Sequence, residues 1–267
     1  RNMSLRLPSI TDLDGSQQQV VRHTPYNDPM FVKGPPGSGK THIAILRLNV
    51  LLQNEYTNVL FLLYNHSMYG FLNTIFRKMN LKRNVEINTK DVFFLYKAKA
   101  AGYNMWNENQ NDLYNIKYSQ RLGYVENHLP SVFYDVIVID ECQDFSEREL
   151  KLLSRMTNTI IAVGDFEQSV YQMNGRAFLD KLPCKKLSTI YRYGRNVAAI
   201  AEHFTTTSGN LKSIVTNDNK TDVFKVKTNG GVDATDKIVR ILNAKKNTDM
   251  TIAILSISKN QLLNLSS

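Results

Sequence analysis

The sequence predicts an α/β fold built on a parallel sheet, and three observations carry that prediction. A short apolar run, Met30-Phe31-Val32, leads into a glycine-rich loop that ends at Thr41, and the loop runs into a helical pattern from Ile43 to Leu52. The runs Asn58 to Tyr64 (NVLFLLY), Val136 to Ile139 (VIVI) and Thr159 to Val163 (TIIAV) are apolar without alternation, which is the pattern of strands covered on both faces. Polar groups follow each run, at the strand ends where open α/β sheets place their ligands.

Taken in order, residues Arg1 to Ile10 read as a tail. In Leu13-Asp14-Gly15-Ser16-Gln17, Asp14 and Ser16 can cap a helix starting near Gln17, with Val20 and Val21 as its apolar positions. The Gln17 amide both donates and accepts, so it can pair with an adenine edge. The loop Gly34-Pro35-Pro36-Gly37-Ser38-Gly39-Lys40-Thr41 matches G-x-x-x-x-G-K-[ST] between a strand and a helix, the context in which it binds phosphate. Its glycines let successive N–H groups turn inward, and the following helix adds the partial positive charge of its N-terminus. Lys40 would reach the β- and γ-phosphates, and the Thr41 hydroxyl would ligate Mg²⁺.

Beyond the buried run ending at Tyr64 come a helix from about Tyr69 to Met79, a strand near Val85 to Asn88 and a helix near Val92 to Tyr96. Residues 97–129 are polar and Asn-rich, and read as a small, mostly helical insertion. The run from Tyr134 then ends in Asp140-Glu141-Cys142-Gln143-Asp144. A carboxylate at such a strand end can hold Mg²⁺, as Asp140 would, and its neighbour Glu141 can orient and deprotonate an attacking water. Thr159 to Val163 ends in Gly164-Asp165-Phe166-Glu167-Gln168-Ser169-Val170-Tyr171, where Gln168 is a candidate γ-phosphate sensor. Arg192, before a helical pattern with Val197, Ile200 and Ala201, can place a guanidinium near phosphate. Strands near Val223 to Val226 and Thr251 to Ile257, with a helix from Asp233 to Asn243 between them, complete the reading.

At 267 residues the chain holds one large or two ordinary domains. Hydrophobic residues at 42% and charged residues at 21% are the proportions of a soluble globular protein. No apolar run approaches membrane-spanning length and no signal-peptide pattern opens the chain, so a cytoplasmic protein without a membrane partner is expected. Cys142 and Cys184 offer neither a disulfide framework nor metal-ligand spacing, and the five scattered histidines are assigned to no metal. The net charge of +9 favours a polyanionic partner. Arg77, Lys78, Lys82, Arg83, Lys90, Lys97 and Lys99 interleave with Phe71, Phe76, Phe93, Phe94, Tyr96, Tyr103 and Trp106. That stretch reads equally as a stacking surface for nucleic acid and as a solvated face over core aromatics.

The order of the motifs resembles the UvrD/Rep/PcrA branch of superfamily 1 helicases. L-x-x-x-Q, GPPGSGKT, YNHSM, DECQD, GDFEQSVY and IYR stand where that branch has its Q motif and motifs I, Ia, II, III and IV, over roughly Leu13 to Ile257. The resemblance implies a RecA-like ATPase domain (residues 1–186, with the insertion at 97–129) followed by the beginning of a second RecA-like domain (187–267). It implies ATP and Mg²⁺ as cofactors, single-stranded DNA or a partial duplex as partner, and 3′-to-5′ translocation with unwinding, in DNA repair, recombination or phage defence. Carried over, Gln17 would read adenine, while Gly34 to Thr41, with Pro35, Pro36 and Ser38 between the glycines, would bind the nucleotide. Lys40, Asp140, Glu141, Gln168 and Arg192 would be catalytic, Thr41 and Asp140 would hold Mg²⁺, and Tyr64, Asn65, Tyr171 and Met173 would lie on the nucleic-acid path.

The sequence departs from the pattern at Leu63, where motif Ia commonly has an aromatic, at Met173-Asn174-Gly175, where F/W-R-G is usual, and at Ile190, which replaces the motif IV asparagine. Motifs V and VI do not follow Arg192. The expectation is therefore a portion of a longer polypeptide that alone binds ATP and hydrolyses it poorly. Two other readings stand beside the motor: an ATP-binding regulatory or scaffold subunit, with a nuclease or another subunit of a nucleic-acid-processing complex as partner, and a helicase acting on RNA.

Overall fold

A computed structural model describes residues 9–64, 66–81, 85–128, 134–166, 174–204, 211–216, 226–227, 229 and 231–245. The chain divides into two compact units, Arg1–Thr221 and Asp222–Ser267. The first contains a six-stranded sheet in which every pairing is parallel. Its strands are β1 (Met30–Lys33), β2 (Val59–Leu63), β3 (Val85–Thr89), β4 (Val136–Asp140), β5 (Ile160–Gly164) and β6 (Cys184–Lys186), in the order β3-β2-β4-β5-β1-β6. With helices on both faces this is an α/β fold of the RecA-like P-loop type.

The unbroken apolar runs have a direct cause. Successive residues of a strand face opposite ways, and each face here has its own core. Val59, Phe61 and Leu63 of β2, Val136 and Val138 of β4, and Ile161 and Val163 of β5 pack into one core. That core is closed by α1 (Gly15–Val21), α2 (Lys40–Gln53) and α3 (His66–Lys78). Leu60, Leu62, Ile137, Ile139, Ile160 and Ala162 pack into the other, against α4 (Lys90–Ala100), α5 (Tyr114–Asn127) and α6 (Glu147–Ser154). At about 1.5–3 kcal/mol for each large aliphatic side chain buried, neither face of these strands tolerates a polar residue until the strand ends.

Two buried cations tie the helical layers to the sheet. Arg47 on α2 is wholly buried and donates to the carbonyls of Val21 (3.1 Å) and Tyr26 (2.6 Å). It thereby fastens the connection between α1 and β1 to the helix that follows the glycine-rich loop. On the other face Lys90, the first residue of α4, pairs with Glu149 of α6 and donates to the Asp144 carbonyl at 2.9 Å. The insertion expected at 97–129 is mostly helical, consisting of the end of α4, a 3₁₀ turn (Met105–Asn107) and α5. The sequence reading did not register α6, the short α7 (Arg176–Leu179) or the edge strand β6. β6 is only Cys184-Lys185-Lys186, partly exposed, and has no apolar run to announce it. A further helix of this unit, α8 (Arg195–Ala201), follows the segment after β6.

In the second unit the described element is α9 (Gly231–Lys245), longer at both ends than the helix expected over Asp233 to Asn243. Asp233 accepts from the Asn229 N–H at 2.8 Å and pairs with Lys237 at 2.8 Å, which fixes its first turn. The strand expected at Thr251 to Ile257 lies outside the described residues, as does most of that at Val223 to Val226.

Candidate nucleotide-binding site

Strand order builds the site. β5 lies between β1 and β4, and Lys33 and Asp140 both register with the last two residues of β5, Gly164 and Val163. The glycine-rich loop and the acidic group therefore leave the sheet at one edge, two strand spacings apart, roughly 10 Å. The first turn of α2 bridges that gap: the Thr41 hydroxyl donates to Asp140 Oδ2 at 2.9 Å.

The loop itself is held by left-handed backbone at Gly37 (φ 81°) and Gly39 (φ 86°), a region L side chains rarely enter. Lys40 is nine-tenths buried, and its ammonium donates to the carbonyls of Gly34 (2.8 Å) and Pro35 (3.2 Å). Its pKa is lowered by burial, against the opposing pull of Asp165, Glu141 and Asp140. Ser38 is wholly buried, and its hydroxyl has no hydrogen-bond partner among the described residues. The Gln17 amide donates to the Ser38 carbonyl at 2.9 Å and accepts from the Asp14 N–H at 3.1 Å.

Asp140 is almost wholly buried, and burial, with Glu141 beside it, pushes its pKa up to about 7 against the bond from Thr41. Glu141 holds a left-handed backbone (φ 53°), uncommon outside glycine. Its carboxylate accepts from the Gln143 amide at 2.8 Å, while the Gln143 carbonyl oxygen accepts from the Asp165 N–H at 3.0 Å. Gln143 thus couples the acidic end of β4 to the end of β5. Sequence reasoning gave it no role, because a glutamine two residues past an acid carries no signal until the two strands are known to be neighbours.

A segment after β6 crosses the loop. The Leu187 N–H donates to the Lys33 carbonyl at 2.8 Å, and the Tyr191 N–H to the Gly37 carbonyl at 3.0 Å. The Tyr191 hydroxyl bonds Asp14, and a Cβ placed on Gly37 would stand 2.8 Å from that of Arg192. Arg192 therefore lies directly against the loop. With Lys40, Thr41 and Glu141 it lines a cavity of about 140 Å³. A neighbouring cavity of about 410 Å³ lies among Leu13, Gln17, His42, Ile43, Tyr191 and Arg192. His42, which the sequence reading assigned no part here, borders both, and burial together with Arg192 lowers its pKa.

Not every expected residue joins this assembly. Tyr64 is half-buried at the end of β2, its ring 5.0 Å from the Lys90 ammonium, on the face of the sheet opposite α2. Asn65, Gln168, Tyr171 and Met173 lie outside the described residues. The interleaved basic and aromatic stretch is largely core: Phe76, Phe93 and Phe94 are wholly buried, Tyr103 and Lys90 nearly so, while Tyr96 and Trp106 are exposed. Among the described residues no group of His, Cys, Asp and Glu could hold a metal by itself, and no helix is long and apolar enough to cross a membrane.

The sequence profile of one family, described as an AAA domain, matches residues 17–174, which span the glycine-rich loop, both acids and the sheet from β1 to β5. The chain belongs to this family. No curated protein matches it. Among solved structures, the AAA domain chain is similar to the Pif1 helicase from Candida albicans at 13% identity, covering 91% of this chain and 56% of that one with a TM-score of 0.47. It is similar to the PRRSV helicase at 18% identity (72% and 36% covered, TM-score 0.34). Bacteroides sp. Pif1 in complex with ADP-AlF4 is a third, at 16% identity (74% and 48%, TM-score 0.35). The AAA domain chain spans between about a third and just over half of the length of these helicases.

Proposed function

We propose that this chain is the ATP-binding portion of a superfamily 1 nucleic-acid motor, coupling ATP hydrolysis to movement along single-stranded DNA. One observation carries the reading. The Thr41 hydroxyl lies 2.9 Å from the buried Asp140 carboxylate, and the same edge of the sheet brings Lys40, Glu141 and Arg192 around one cavity. A hydroxyl and a carboxylate so placed are hard oxygen donors of the kind Mg²⁺ takes, so the residues present fit that ion. When bound, Mg²⁺ would supply charge neutralisation at the β- and γ-phosphates.

The chain's own residues would do the rest. Backbone N–H groups of the Gly34 to Thr41 loop would cradle phosphate oxygens, aided by the N-terminus of α2. The Lys40 ammonium, now spent on two loop carbonyls, would turn to phosphate. Glu141, held by the Gln143 amide, would accept a proton from an attacking water. Arg192 would offset charge developing on the γ-phosphoryl group, and Gln168 would report its presence. In this reading residues from 187 onward begin a second RecA-like domain, Tyr64, Asn65, Tyr171 and Met173 face the nucleic acid, and travel is 3′-to-5′ in the manner of the UvrD branch.

The test is ATP turnover with and without single-stranded DNA, in the full-length polypeptide, with Lys40→Ala and Glu141→Gln as controls. Stimulation by single-stranded DNA that both substitutions abolish is expected. Turnover indifferent to DNA overturns the motor reading and favours a regulatory subunit, and stimulation by RNA alone redirects it to RNA.

A further inference from the structure

We infer that Met68 and Phe71 form an apolar wall of the phosphate cavity, and that this wall governs the rate of phosphoryl transfer to water rather than nucleotide affinity. This rests on the nucleotide-site reading proposed above and adds two residues of α3 to it. Both lie in the first two turns of α3, three residues apart and so on one side of the helix. The same stripe continues into Leu72, Ile75 and Phe76, all buried in the core closed by α1, α2 and α3. Met68 and Phe71 are only half-buried. Each packs against that core, and each also lines the cavity of about 140 Å³ bordered by Lys40, Thr41, Glu141 and Arg192. Strand register explains the placement. Leu62 of β2 lies beside Ile139 of β4, so α3 leaves the sheet at the edge where the loop and the acids meet, and its apolar stripe runs out of the core into the site.

As the rim of a core the pair needs no further role, but the chemistry of its other neighbours gives it one. Lys40 and Asp140 are already nine-tenths buried or more. Charges interact far more strongly where water is scarce, and groups aimed at developing charge gain accordingly. At about 30 Å³ per water, the cavity has room for roughly four, or for a terminal phosphoryl group and the water that attacks it. Phenylalanine offers such a water no hydrogen bond, and a thioether only a weak one. A water held there therefore settles on Glu141 and not on α3. In the reaction its oxygen bonds to the γ-phosphorus as the bond to the β–γ bridging oxygen breaks. Its proton passes to Glu141, and the leaving diphosphate keeps the electron pair. Affinity comes from other walls, namely the loop N–H groups and Lys40.

The test is ATP turnover by the full-length polypeptide with Mg²⁺ and single-stranded DNA, alongside equilibrium binding of ATP and urea unfolding. The variants are Met68→Gln, Met68→Leu, Phe71→Gln and Phe71→Leu. Glutamine carries hydrogen-bonding groups into the cavity, whereas leucine keeps the wall apolar. Each glutamine variant is expected to lower kcat about tenfold while the ATP dissociation constant stays within about twofold. Each leucine variant is expected to keep about half or more of the wild-type kcat. A kcat untouched by either glutamine overturns the inference. So does a kcat that follows unfolding free energy across the four variants, which is the mark of a core rim and nothing more, or an affinity that falls in step with kcat. A wild type that binds ATP without turning it over also overturns it and leaves the nucleotide site standing. Failure of ATP to bind overturns both.

Discussion

Lys90 and Glu149 form an ion pair of 3.1 Å with only 7% and 1% of their side chains exposed. The Lys90 ammonium also faces the rings of Tyr64, Tyr118 and Phe145 at 5.0, 5.9 and 5.3 Å. Glu149 in turn accepts from the Tyr118 hydroxyl at 2.5 Å and from the Ser146 N–H at 2.6 Å, closing the N-terminus of α6. One carboxylate thus joins α4, α5 and α6. Lys90→Met strands it in a dry site, and removing one partner of a buried pair costs about 3–5 kcal/mol. Urea unfolding should show that loss, with the double substitution Lys90→Met and Glu149→Gln recovering part of it. Equal stability of wild type and Lys90→Met would show the pair to be dispensable.

Arg47 donates from its buried site to the carbonyls of Val21, His23, Pro25 and Tyr26 and lies over the Tyr26 ring, and so positions the chain between α1 and β1. Arg47→Met keeps much of the volume but orphans at least two buried acceptors, at about 1–3 kcal/mol each. A fall in unfolding free energy of about 3 kcal/mol is expected. Because α1 carries Gln17, triphosphate affinity measured by calorimetry should fall as well. A stable variant with unchanged affinity would contradict the role given to this arginine.

Gly37 and Gly15 make a matched pair for testing the loop. Gly37→Ala meets both a positive φ and the Arg192 Cβ, whereas a Cβ on Gly15 meets nothing within 4 Å. Strain of about 1–3 kcal/mol is expected at Gly37, seen as a triphosphate dissociation constant raised about tenfold or more. Gly15→Ala, within α1, should instead stabilise the fold by about 0.5–1 kcal/mol. Thermal melts and a binding titration on the two variants decide it, and indifference of binding to Gly37→Ala would mean that the loop does not contact the ligand.

Acid stability should depend on Glu108. The hydrogen bonds from the Arg121 guanidinium, 2.9 Å from its carboxylate, hold its pKa below the ordinary 4.5. A folded-state value below the unfolded one stabilises the fold fully above the unfolded value. That contribution disappears as pH falls through the folded value. Glu108→Gln removes it, so the stability gap between wild type and variant should be widest above the ordinary 4.5 and close as pH falls through the lower folded-state value. Denaturant titrations across that range measure it, and a gap independent of pH would assign Glu108 no such part.

Much of this architecture was legible because the apolar runs of β2, β4 and β5 are too long and too uniform for a one-sided sheet, and the loop from Gly34 to Thr41 has few other uses. Elements stabilised by distant partners were not. The exposed edge strand β6 exists because β1 offers it hydrogen bonds; α6 does carry a local signal, the Ser146-x-x-Glu149 capping box, but the deep burial of Glu149 comes from α4 and α5. The site divides the same way. Lys40, Thr41 and Asp140 announce themselves by spacing, but Gln143 and His42 acquire a place only when strand order brings the ends of β4 and β5 beside the first turn of α2. Conversely, the aromatics between Phe71 and Tyr103 read equally as a stacking surface and as core, because composition cannot distinguish a base from a second hydrophobic core.

The two cores sharing each central strand constrain how the gene can change length. Val136 and Val138 face the layer containing α2, and Asp140, next in that alternation, meets Thr41 on the same side. Losing or gaining a single codon within β4 would turn its apolar residues to the opposite faces and swing the carboxylate away from α2 in the same stroke. Only paired changes inside the strand, or changes outside it, preserve that meeting. The stretch from Asn109 to Leu113, largely exposed and away from the cavity, is where insertions and deletions should accumulate among relatives.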